Sequence, residues 1–216
     1  MKIILRDVTK SYNKGRKRLN IFTDFSYTFD SEKLYLVKGD SGKGKTTLLT
    51  IIGLLQKTDS GDIYFDNDKV SDLTNEQKCK IRKNKIGFVF QDFNLFDSLN
   101  VVDNIVLPEL DGNKEKRDIV FKKARLILDS LNIHNKMANF PYELSGGEKQ
   151  RVGVARAILK DPDVLICDEP ISNLDEKNAQ EIVKYIHDYC REKKRLCIIA
   201  SHNVSFDHLA DDIVYI

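Results

Sequence analysis

The sequence lacks the features that mark secreted, membrane-spanning and cysteine-held metal proteins. Its four cysteines form no CxxC pair and have no histidine at metal-ligand spacing, so they do not indicate a metal site. Cys167 and Cys197 lie inside apolar runs and are predicted to be small core residues, as expected in a reducing cytoplasm. The apolar runs are far shorter than the roughly 20 residues that span a bilayer, so any membrane role requires a partner. Residues 1–7 become charged at once, which predicts no signal peptide.

Charge of a single sign and internal repetition are lacking as well. Lys and Arg total 35 against 33 Asp and Glu, and the net charge of +2 does not favour nucleic-acid binding. No nucleic-acid partner is therefore predicted. The one basic cluster, at residues 14–18, is interpreted as a solvated hairpin tip, with a nucleic-acid or lipid patch as the alternative. A chain of 216 residues without repeats or low-complexity linkers suits a single α/β domain with room for a subdomain.

Hydrophobic periodicity predicts a parallel α/β core interrupted by a helical segment. Alternating or continuous apolar runs predict strands at residues 3–5, 25–29, 33–38, 61–65, 86–90, 164–167 and 196–200. The last two are apolar throughout, as strands buried on both faces of a parallel sheet are. Residues 92–156 have helical character. A crossover helix between the last two strands is predicted to bury Ala179, Ile182, Val183, Ile186 and Cys190.

The sequence GDSGKGKT at residues 39–46 carries the most specific chemistry. It follows a predicted strand and precedes a helix-like run at residues 47–52, the strand–GxxxxGK[ST]–helix context of a phosphate-binding loop. Glycines let successive N–H groups point at one spot, and the helix dipole adds positive potential there. Lys45 would supply a mobile charge for the β- and γ-phosphates, and the Thr46 hydroxyl would ligate Mg²⁺. A glycine-rich connecting turn is the weaker interpretation, so the motif predicts nucleoside triphosphate binding.

Two acidic residues follow the predicted strand at residues 164–167, where burial is costly unless a positive partner faces them. In a P-loop protein the expected partner is Mg²⁺ with its phosphates. Asp168 is predicted to hold the metal, directly or through water, and Glu169 to orient and deprotonate the attacking water. Pro170 then ends the strand. A pair of exposed loop acids is the alternative.

The sequence LSGGE at residues 144–148 opens an amphipathic helix, and its serine and glycines predict a cap whose free N–H groups form a second anion site. Such a cap alone usually has no ligand. The order of the three motifs, with LSGGE between the P-loop and the acidic pair, is much more specific. In this order of motifs the chain resembles the nucleotide-binding subunit of ATP-binding-cassette (ABC) transporters over essentially its whole length. The resemblance implies a P-loop NTPase (RecA-like) α/β fold: a parallel-sheet core, an N-terminal antiparallel β subdomain and an inserted α-helical subdomain. Residues 1–216 would form one domain, with core segments 1–91 and 157–216 and a helical signature subdomain 92–156.

The resemblance assigns catalytic and metal-binding roles to residues of these motifs. Gln91, after the strand at residues 86–90, corresponds to the glutamine that touches Mg²⁺ and reports nucleotide state to a membrane subunit. His202, just past the last buried strand, corresponds to the switch histidine that contacts the γ-phosphate. The implied catalytic residues are Lys45, Gln91, Glu169 and His202. The implied cofactor is Mg²⁺, with the ligands Thr46, Gln91 and Asp168.

ATP and dimer contacts are implied on the same basis. Tyr12 corresponds to the aromatic residue that stacks on adenine. The other implied ATP contacts are Gly39, Asp40, Ser41, Gly42, Lys43, Gly44, Lys45, Thr46 and Thr47. The signature residues, which would contact ATP bound by a second copy of the chain, are Ser145, Gly146, Gly147 and Glu148. Asp175 would lie at the dimer interface, and it is also interpreted as the N-cap of the next helix.

Three residues depart from the usual pattern of the family. Asp40 stands where proline is frequent and Lys43 where a small residue is, but neither change removes a phosphate contact, because backbone N–H groups, Lys45 and Thr46 make those contacts. Asn203 stands where an aspartate usually follows the switch histidine, which is expected to weaken the positioning of that histidine. An active ATPase remains the prediction.

The implied function is an ATP-hydrolysing subunit that dimerises head to tail around ATP and powers a separate membrane permease. It would lie at the cytoplasmic face of the cell membrane. GFVFQDFNLF at residues 87–96, VDNIVLP at residues 102–108 and Asn173 resemble the lipoprotein-release, macrolide-export and antimicrobial-peptide-resistance group. ABC importer subunits and force-transmitting ATPases of the cell-division type are the alternatives. A small-molecule kinase is disfavoured because it needs neither the signature nor the switch histidine.

Overall fold

Apolar residues at period two and period 3.6 build the strands and helices of the computed structural model, which describes residues 1–15, 17–110, 112, 114–172 and 174–216. Its strands are β1 (Ile3–Lys14), β2 (Lys17–Phe29), β3 (Leu34–Lys38), β4 (Ser60–Phe65), β5 (Asp68–Lys69), β6 (Ile86–Val89), β7 (Val164–Asp168), β8 (Leu196–Ala200) and β9 (Asp212–Tyr215). Its α-helices are α1 (Lys45–Ile52), α2 (Asn75–Lys85), α3 (Val101–Val106), α4 (Lys114–Ser130), α5 (Gly146–Ile158) and α6 (Glu176–Glu192). Short 3₁₀ segments cover Leu107–Glu109, His134–Lys136, Pro141–Glu143 and Val204–Leu209.

The central layer is a parallel sheet with the strand order β6-β7-β8-β3-β9. The predicted strands at residues 33–38, 86–90, 164–167 and 196–200 form four of its members. Parallel strands end at the same edge of a sheet, whatever their separation along the chain. The loop after β3, the acidic pair at the end of β7 and the segment after β8 therefore meet at one edge.

The second sheet is antiparallel, with the strand order β2-β1-β4-β5. Its first two strands form the predicted hairpin around a turn at Gly15. Arg16, from the basic cluster, lies outside the described residues. The Arg18 guanidinium donates to Ser11 Oγ at 2.8 Å and lies 3.4 Å from Asp59 Oδ2, so the charge of Arg18 is partnered within the protein.

Two hydrophobic cores lie on the two faces of the parallel sheet. Along β3, Leu34 and Leu36 belong to one core and Tyr35 and Val37 to the other, the alternation of a strand buried on both faces. The first core includes α3 to α6, and the second includes α1 and the antiparallel sheet. The buried stripe of α6 is the predicted one: Ala179, Ile182, Val183, Ile186 and Cys190.

Several segments differ from the sequence prediction: strands β1 and β2 are longer than predicted, and the short strand β5 was not predicted. Helix α2 was not predicted, because its polar composition hides the helical period; Thr74 and Gln77 form a capping box at its start. Residues 92–100 contain no helix, although they fall in the segment predicted as helical. Edge strand β9 pairs with β3 and is too short for a periodic signal. In the described part of the chain, no helix has both the length and the apolar character needed to cross a membrane.

Candidate nucleotide-binding site

The loop between β3 and α1 curls because two of its glycines adopt left-handed backbone conformations. Gly42 has φ +81° and Gly44 has φ +110°, values that residues with side chains adopt only under strain. Gly44 is also the N-cap of α1, packed so closely that a Cβ there would overlap Ile21 Cγ2. Glycine at these positions is therefore required by the shape of the loop.

The N-terminus of α1 carries no side-chain cap, because its N-cap is Gly44. Helices α2, α3, α5 and α6 are capped by the side chains of Thr74, Asn100, Ser145 and Asp175. The first-turn N–H groups of a helix have no intrahelical acceptor, and the helix dipole places positive potential around them. The ligand that this uncapped end favours is an anion.

Lys45 is buried, and its ammonium is turned toward the loop. Nζ donates to Gly39 O at 2.8 Å and to Asp40 O at 3.4 Å. It also lies 3.0 Å from His202 Nε2 and 3.8 Å from Glu169 Oε1. The cation is thus held where the loop, the end of β7 and the segment after β8 meet.

Thr46 and Asp168 bring a hydroxyl and a carboxylate together at the same edge of the sheet. Thr46 Oγ1 donates to Asp168 Oδ1 at 3.1 Å. Burial raises the pKa of Asp168, and the Thr46 hydroxyl and the Lys45 ammonium offset only part of that rise. Hydroxyl and carboxylate oxygens are hard donors, which suit Mg²⁺.

Glu169 has φ +45°, a left-handed conformation that costs about 1 to 3 kcal/mol in a residue with a side chain. Its N–H donates to Ala200 O at 3.0 Å, which ties the turn to the end of β8. His202 Nε2 lies 2.9 Å from Glu169 Oε1, an ion-pair distance without hydrogen-bond geometry. Burial raises the pKa of Glu169 against the opposing influence of His202 and Lys45. The strained turn thus places a buried carboxylate beside an exposed imidazole.

The antiparallel sheet supplies the other wall of a cleft of about 380 Å³. Tyr12 Oη donates to Gln56 Oε1 at 2.8 Å and lies 3.2 Å from Thr47 Oγ1, which anchors the phenol to α1 and the residues just beyond it. The cleft is lined by Tyr12, Ile21, Ser41, Gly42, Gly44, Lys45, Thr46, Thr47, Gln91, Glu169, Ser172 and His202. The remaining P-loop residues of the prediction, which lie in the loop but outside this lining, are Gly39, Asp40 and Lys43.

Gln91 lines the cleft from just beyond β6, and helix α5 holds the segment that follows it. Phe93 and Asn94 have φ of +59° and +48°. Arg156 donates to Phe93 O and to Asn94 O, each at 2.6 Å. Charge-assisted hydrogen bonds of this kind stabilise a strained backbone segment. Arg156 therefore links the segment after Gln91 to the helix that begins with the signature residues.

The signature residues lie away from the cleft: residues 145–148 are absent from the lining among the described residues. Ser145 is the N-cap of α5 and forms a capping box with Glu148. The helix begins at Gly146, so both glycines lie inside its first turn and not ahead of it as predicted. Ser145 is exposed and Gly147 is buried against Asn178 of α6.

The segment before α6 has the predicted capping role. Asp175 is the N-cap, and its carboxylate accepts hydrogen bonds from the Asn178 N–H at 3.0 Å and from Asn178 Nδ2 at 2.6 Å. The N-cap interpretation is confirmed, whereas an interface role remains a prediction. Asn173, one of the residues that resemble the export group, lies outside the described residues.

Three residues of the site had no assigned role in the sequence prediction. Ile21 and Ser172 line the cleft, and Arg156 supports the segment beyond Gln91. Ile21 is one of many apolar strand residues, and only the approach of β2 to Gly44 distinguishes it. Ser172 lies three residues before Asp175, the residue predicted at the dimer interface, and that proximity in sequence is the signal that could have found it.

The loop and the acidic pair meet at one edge of a parallel sheet, and this fold and cleft together define the class of P-loop NTPases. Comparison with known families narrows the class. The profile of the ABC transporter family matches residues 22–172. The chain belongs to the ABC transporter family.

Several relatives match almost the whole chain. The uncharacterized ABC transporter ATP-binding protein MJ0796 of Methanocaldococcus jannaschii is 33% identical, covering 99% of this chain and 92% of that protein. The lipoprotein-releasing system ATP-binding protein LolD of Rickettsia conorii is 33% identical, covering 98% and 93%. The macrolide export ATP-binding/permease protein MacB of Syntrophobacter fumaroxidans is 34% identical over 99% of this chain, which corresponds to 30% of that longer protein.

A solved structure of MJ0796 has the same fold. This dimeric post-hydrolysis state bound to ADP and Pi matches with a TM-score of 0.91 at 33% identity, covering 99% of this chain and 94% of that one. The predicted α/β fold class is thereby confirmed. The family match and the likeness to this cassette make the chain an ATPase subunit of an ABC transporter.

Proposed function

We propose that the chain hydrolyses ATP as one half of a head-to-tail dimer and drives a separate membrane permease. One observation carries the proposal: the buried Lys45 ammonium lies 3.8 Å from the Glu169 carboxylate and 3.0 Å from the His202 imidazole, beside an uncapped helix N-terminus. The helix N-terminus that would bind phosphate and the carboxylate that would act as the base thus lie together in one cleft.

ATP would enter with its polyphosphate against the loop and its adenine toward Tyr12. The first-turn N–H groups of α1 would donate to the phosphates, and Lys45 would exchange its bonds to the loop carbonyls for bonds to phosphate oxygens. Tyr12, anchored through its hydroxyl, offers an aromatic face for adenine. The other proposed ATP contacts are Gly39, Asp40, Ser41, Gly42, Lys43, Gly44, Thr46 and Thr47.

Glu169 is the proposed general base for the attacking water. Its buried carboxylate has a raised pKa, as suits a group that accepts a proton near neutral pH. His202 would contact the γ-phosphate from the same side of the cleft. Mg²⁺ is the proposed cofactor: Thr46, Gln91 and Asp168 would hold it, and it would supply charge neutralisation at the phosphate oxygens. In phosphoryl transfer the protein contributes mainly position and charge, so loss of Lys45 or Glu169 should be disabling.

A second copy of the chain would complete the site. Ser145 is exposed, yet the signature residues take no part in lining the described cleft of their own chain. The related MJ0796 cassette forms a dimer in its solved structure. In the proposed dimer, the Ser145 hydroxyl and the first-turn N–H groups of α5 would meet ATP bound by the other copy, with Asp175 at the interface.

A groove between α2, β6 and α5 is the proposed docking surface for the permease at the cytoplasmic face of the membrane. Its volume is about 330 Å³, and it is lined by Phe88 and Phe90, whose ring centroids are 4.3 Å apart. Its lining also includes four basic residues and one acid: Arg82, Lys83, Arg156, Lys160 and Glu109. Apolar and acidic side chains on a permease segment would complement this lining. Because Arg156 also donates hydrogen bonds to the segment after Gln91, docking of the permease would change the position of that segment beside the cleft.

Lipoproteins, peptides or drugs form the proposed class of cargo. The relatives LolD and MacB are named for lipoprotein release and for macrolide export. The sequences at residues 87–96 and 102–108 resemble the same group. The neighbouring gene tests this assignment: a four-span membrane protein with a large extracellular domain supports export, and a solute-binding protein contradicts it.

The dimer proposal is tested with Glu169→Gln protein, which should bind ATP without hydrolysing it. Sedimentation velocity should show a dimer on addition of ATP and Mg²⁺, and adding Lys45→Ala to the same protein should abolish that dimer. A Glu169→Gln chain that stays monomeric at saturating ATP contradicts the head-to-tail arrangement. Separately, undiminished hydrolysis by the Lys45→Ala single variant would refute the assignment of the P-loop.

A further inference from the structure

The carboxylate of Glu148 lies beside the proposed contact point for the ATP of a second copy. Glu148 Oε2 accepts hydrogen bonds from the Ser145 N–H at 2.8 Å and from the Ser145 hydroxyl at 3.0 Å. Burial raises the pKa of Glu148, but these bonds and the Lys136 ammonium outweigh burial and lower it overall. At neutral pH a full negative charge therefore lies next to the hydroxyl that would meet the polyphosphate.

This carboxylate opposes ATP binding in two ways. ATP is itself strongly negative, and a carboxylate a few ångströms from its phosphates repels it. The Ser145 hydroxyl has a single proton, so it cannot donate to Glu148 and to a phosphate oxygen together. A glutamine would form the same capping box without the charge. With glutamate in this position, the signature residues need a compensating cation.

Lys136 supplies that cation. Its Nζ lies 3.2 Å from Glu148 Oε1, the carboxylate oxygen other than the one that Ser145 contacts. The two side chains are only 31% and 25% exposed, whereas those of the surface pair formed by Lys80 and Glu76 are 72% and 79% exposed. Partly buried pairs are screened less by water and salt, so the compensation at Glu148 is the stronger of the two.

Hydrogen bonds to α3 hold the backbone just after Lys136. The carbonyl oxygens of Met137 and Asn139 accept hydrogen bonds from the N–H groups of Val102 and Val101 at 3.2 Å and 2.8 Å. These donors form the first turn of α3, which follows the segment beyond the cleft glutamine. The lysine ends the short 3₁₀ segment His134–Lys136, its own N–H donates to Ile133 O at 3.0 Å, and the residues that follow it are tied to the start of α3.

We propose that Lys136 is a positioning residue of the signature: by neutralising Glu148 it weakens both the hold of the carboxylate on the Ser145 hydroxyl and its repulsion of the ATP of a second copy. The inference rests on the proposed head-to-tail dimer. Lys136 acts through Glu148 and not on the reacting atoms. Its removal should weaken the ATP-bound dimer, and it should have no effect where residue 148 is uncharged.

A double-mutant cycle in Glu169→Gln protein tests the inference. Lys136→Met, Glu148→Gln and their combination are compared with the Glu169→Gln parent by the ATP concentration at half-maximal dimerisation, measured by sedimentation velocity. Lys136→Met should raise that concentration about fivefold, as for loss of a favourable ion pair. In the Glu148→Gln background, Lys136→Met should change the ATP concentration at half-maximal dimerisation less than twofold. Lys80→Met, which breaks an exposed pair on α2, is the matched control and should leave the value unchanged.

Monomer properties separate this role from a general loss of structure. Lys136→Met should lower the melting temperature by at most a few degrees, as for loss of one ion pair. The binding of a fluorescent ATP analogue to the monomer should be unchanged, because the P-loop lies elsewhere. In protein that retains Glu169, KM for ATP should rise while kcat changes less than twofold. Lys136→Gln provides a second variant with a polar side chain and should behave in the same way.

Three outcomes overturn the inference. One is a parent and a Lys136→Met variant that dimerise at the same ATP concentration. Another is a Lys136→Met substitution that raises the ATP concentration for dimerisation equally whether residue 148 is Glu or Gln. That result would assign the lysine a role independent of the carboxylate. The third is a Glu169→Gln parent that never dimerises, and this result alone removes the proposed function together with the inference.

Discussion

Replacing Gly44 by alanine tests whether the loop shape is set by backbone strain and close packing together. The residue has φ +110°, and its added Cβ would overlap Ile21 Cγ2 and lie 3.1 Å from Phe22 Cζ. Gly42 is the matched control, because it has φ +81° but no atom within 4 Å of the position that a Cβ would take. The first substitution therefore combines strain with overlap, and the second involves strain alone.

The two terms have different sizes. A left-handed conformation costs a residue with a side chain about 1 to 3 kcal/mol. Forcing an extra carbon into a packed site costs about 1 to 3 kcal/mol more. Gly44→Ala should therefore lower the free energy of unfolding by about 2 to 6 kcal/mol, and Gly42→Ala by the strain term alone. At roughly 2–4 °C per kcal/mol for a chain of this size, Gly44→Ala should melt roughly 5 °C below Gly42→Ala.

The assay is urea unfolding of both variants, followed by ATP affinity. Because Gly44 is the N-cap of α1, its displacement should also weaken ATP binding about tenfold or more, equivalent to about 1.4 kcal/mol. Adding Ile21→Ala to Gly44→Ala should recover part of the stability, since it removes the overlap and leaves the strain. Equal stabilities for the Gly42 and Gly44 variants, with no recovery in the double variant, would refute this account of the loop.

Three further predictions concern the metal, the segment after Gln91 and the cysteines. Thr46→Val, which removes the hydroxyl bonded to Asp168, should abolish Mg²⁺-dependent hydrolysis with little change in melting temperature; hydrolysis at the native rate would contradict the ligand assignment. Arg156→Met should cost about 1.5 to 3 kcal/mol, because two charge-assisted bonds to strained carbonyls are lost, and an unaltered urea midpoint would argue against this support. A maleimide should modify the exposed Cys79 in native protein and all four cysteines after unfolding, and mass spectrometry showing rapid native labelling of a buried cysteine would contradict the packing of the core.

Local sequence was sufficient to predict the chemistry of the loop. Strand, glycine-rich turn, lysine and helix follow one another within residues 33–52, so their meaning depends on short-range spacing. The buried stripe of α6 was predictable for the same reason, because period 3.6 is a property of consecutive residues. Helix α2 escaped prediction because its surface is mostly polar and its stabilising signal is a cap and not a stripe.

The tertiary structure alone decided how distant residues meet. Lys45 and His202 lie 157 residues apart in sequence, and their contact exists because β3 and β8 are adjacent parallel strands that end at one edge. The contact of Arg156 with the segment after Gln91 depends on how α5 packs against the sheet, which no local pattern encodes. The pairing of Lys136 with Glu148 likewise depends on how the segment after α4 folds back on the start of α5. Sequence by itself therefore determined which groups are available for nucleotide chemistry. Strand order and helix packing determined which of these groups act together, because contacts between distant segments depend on the whole fold.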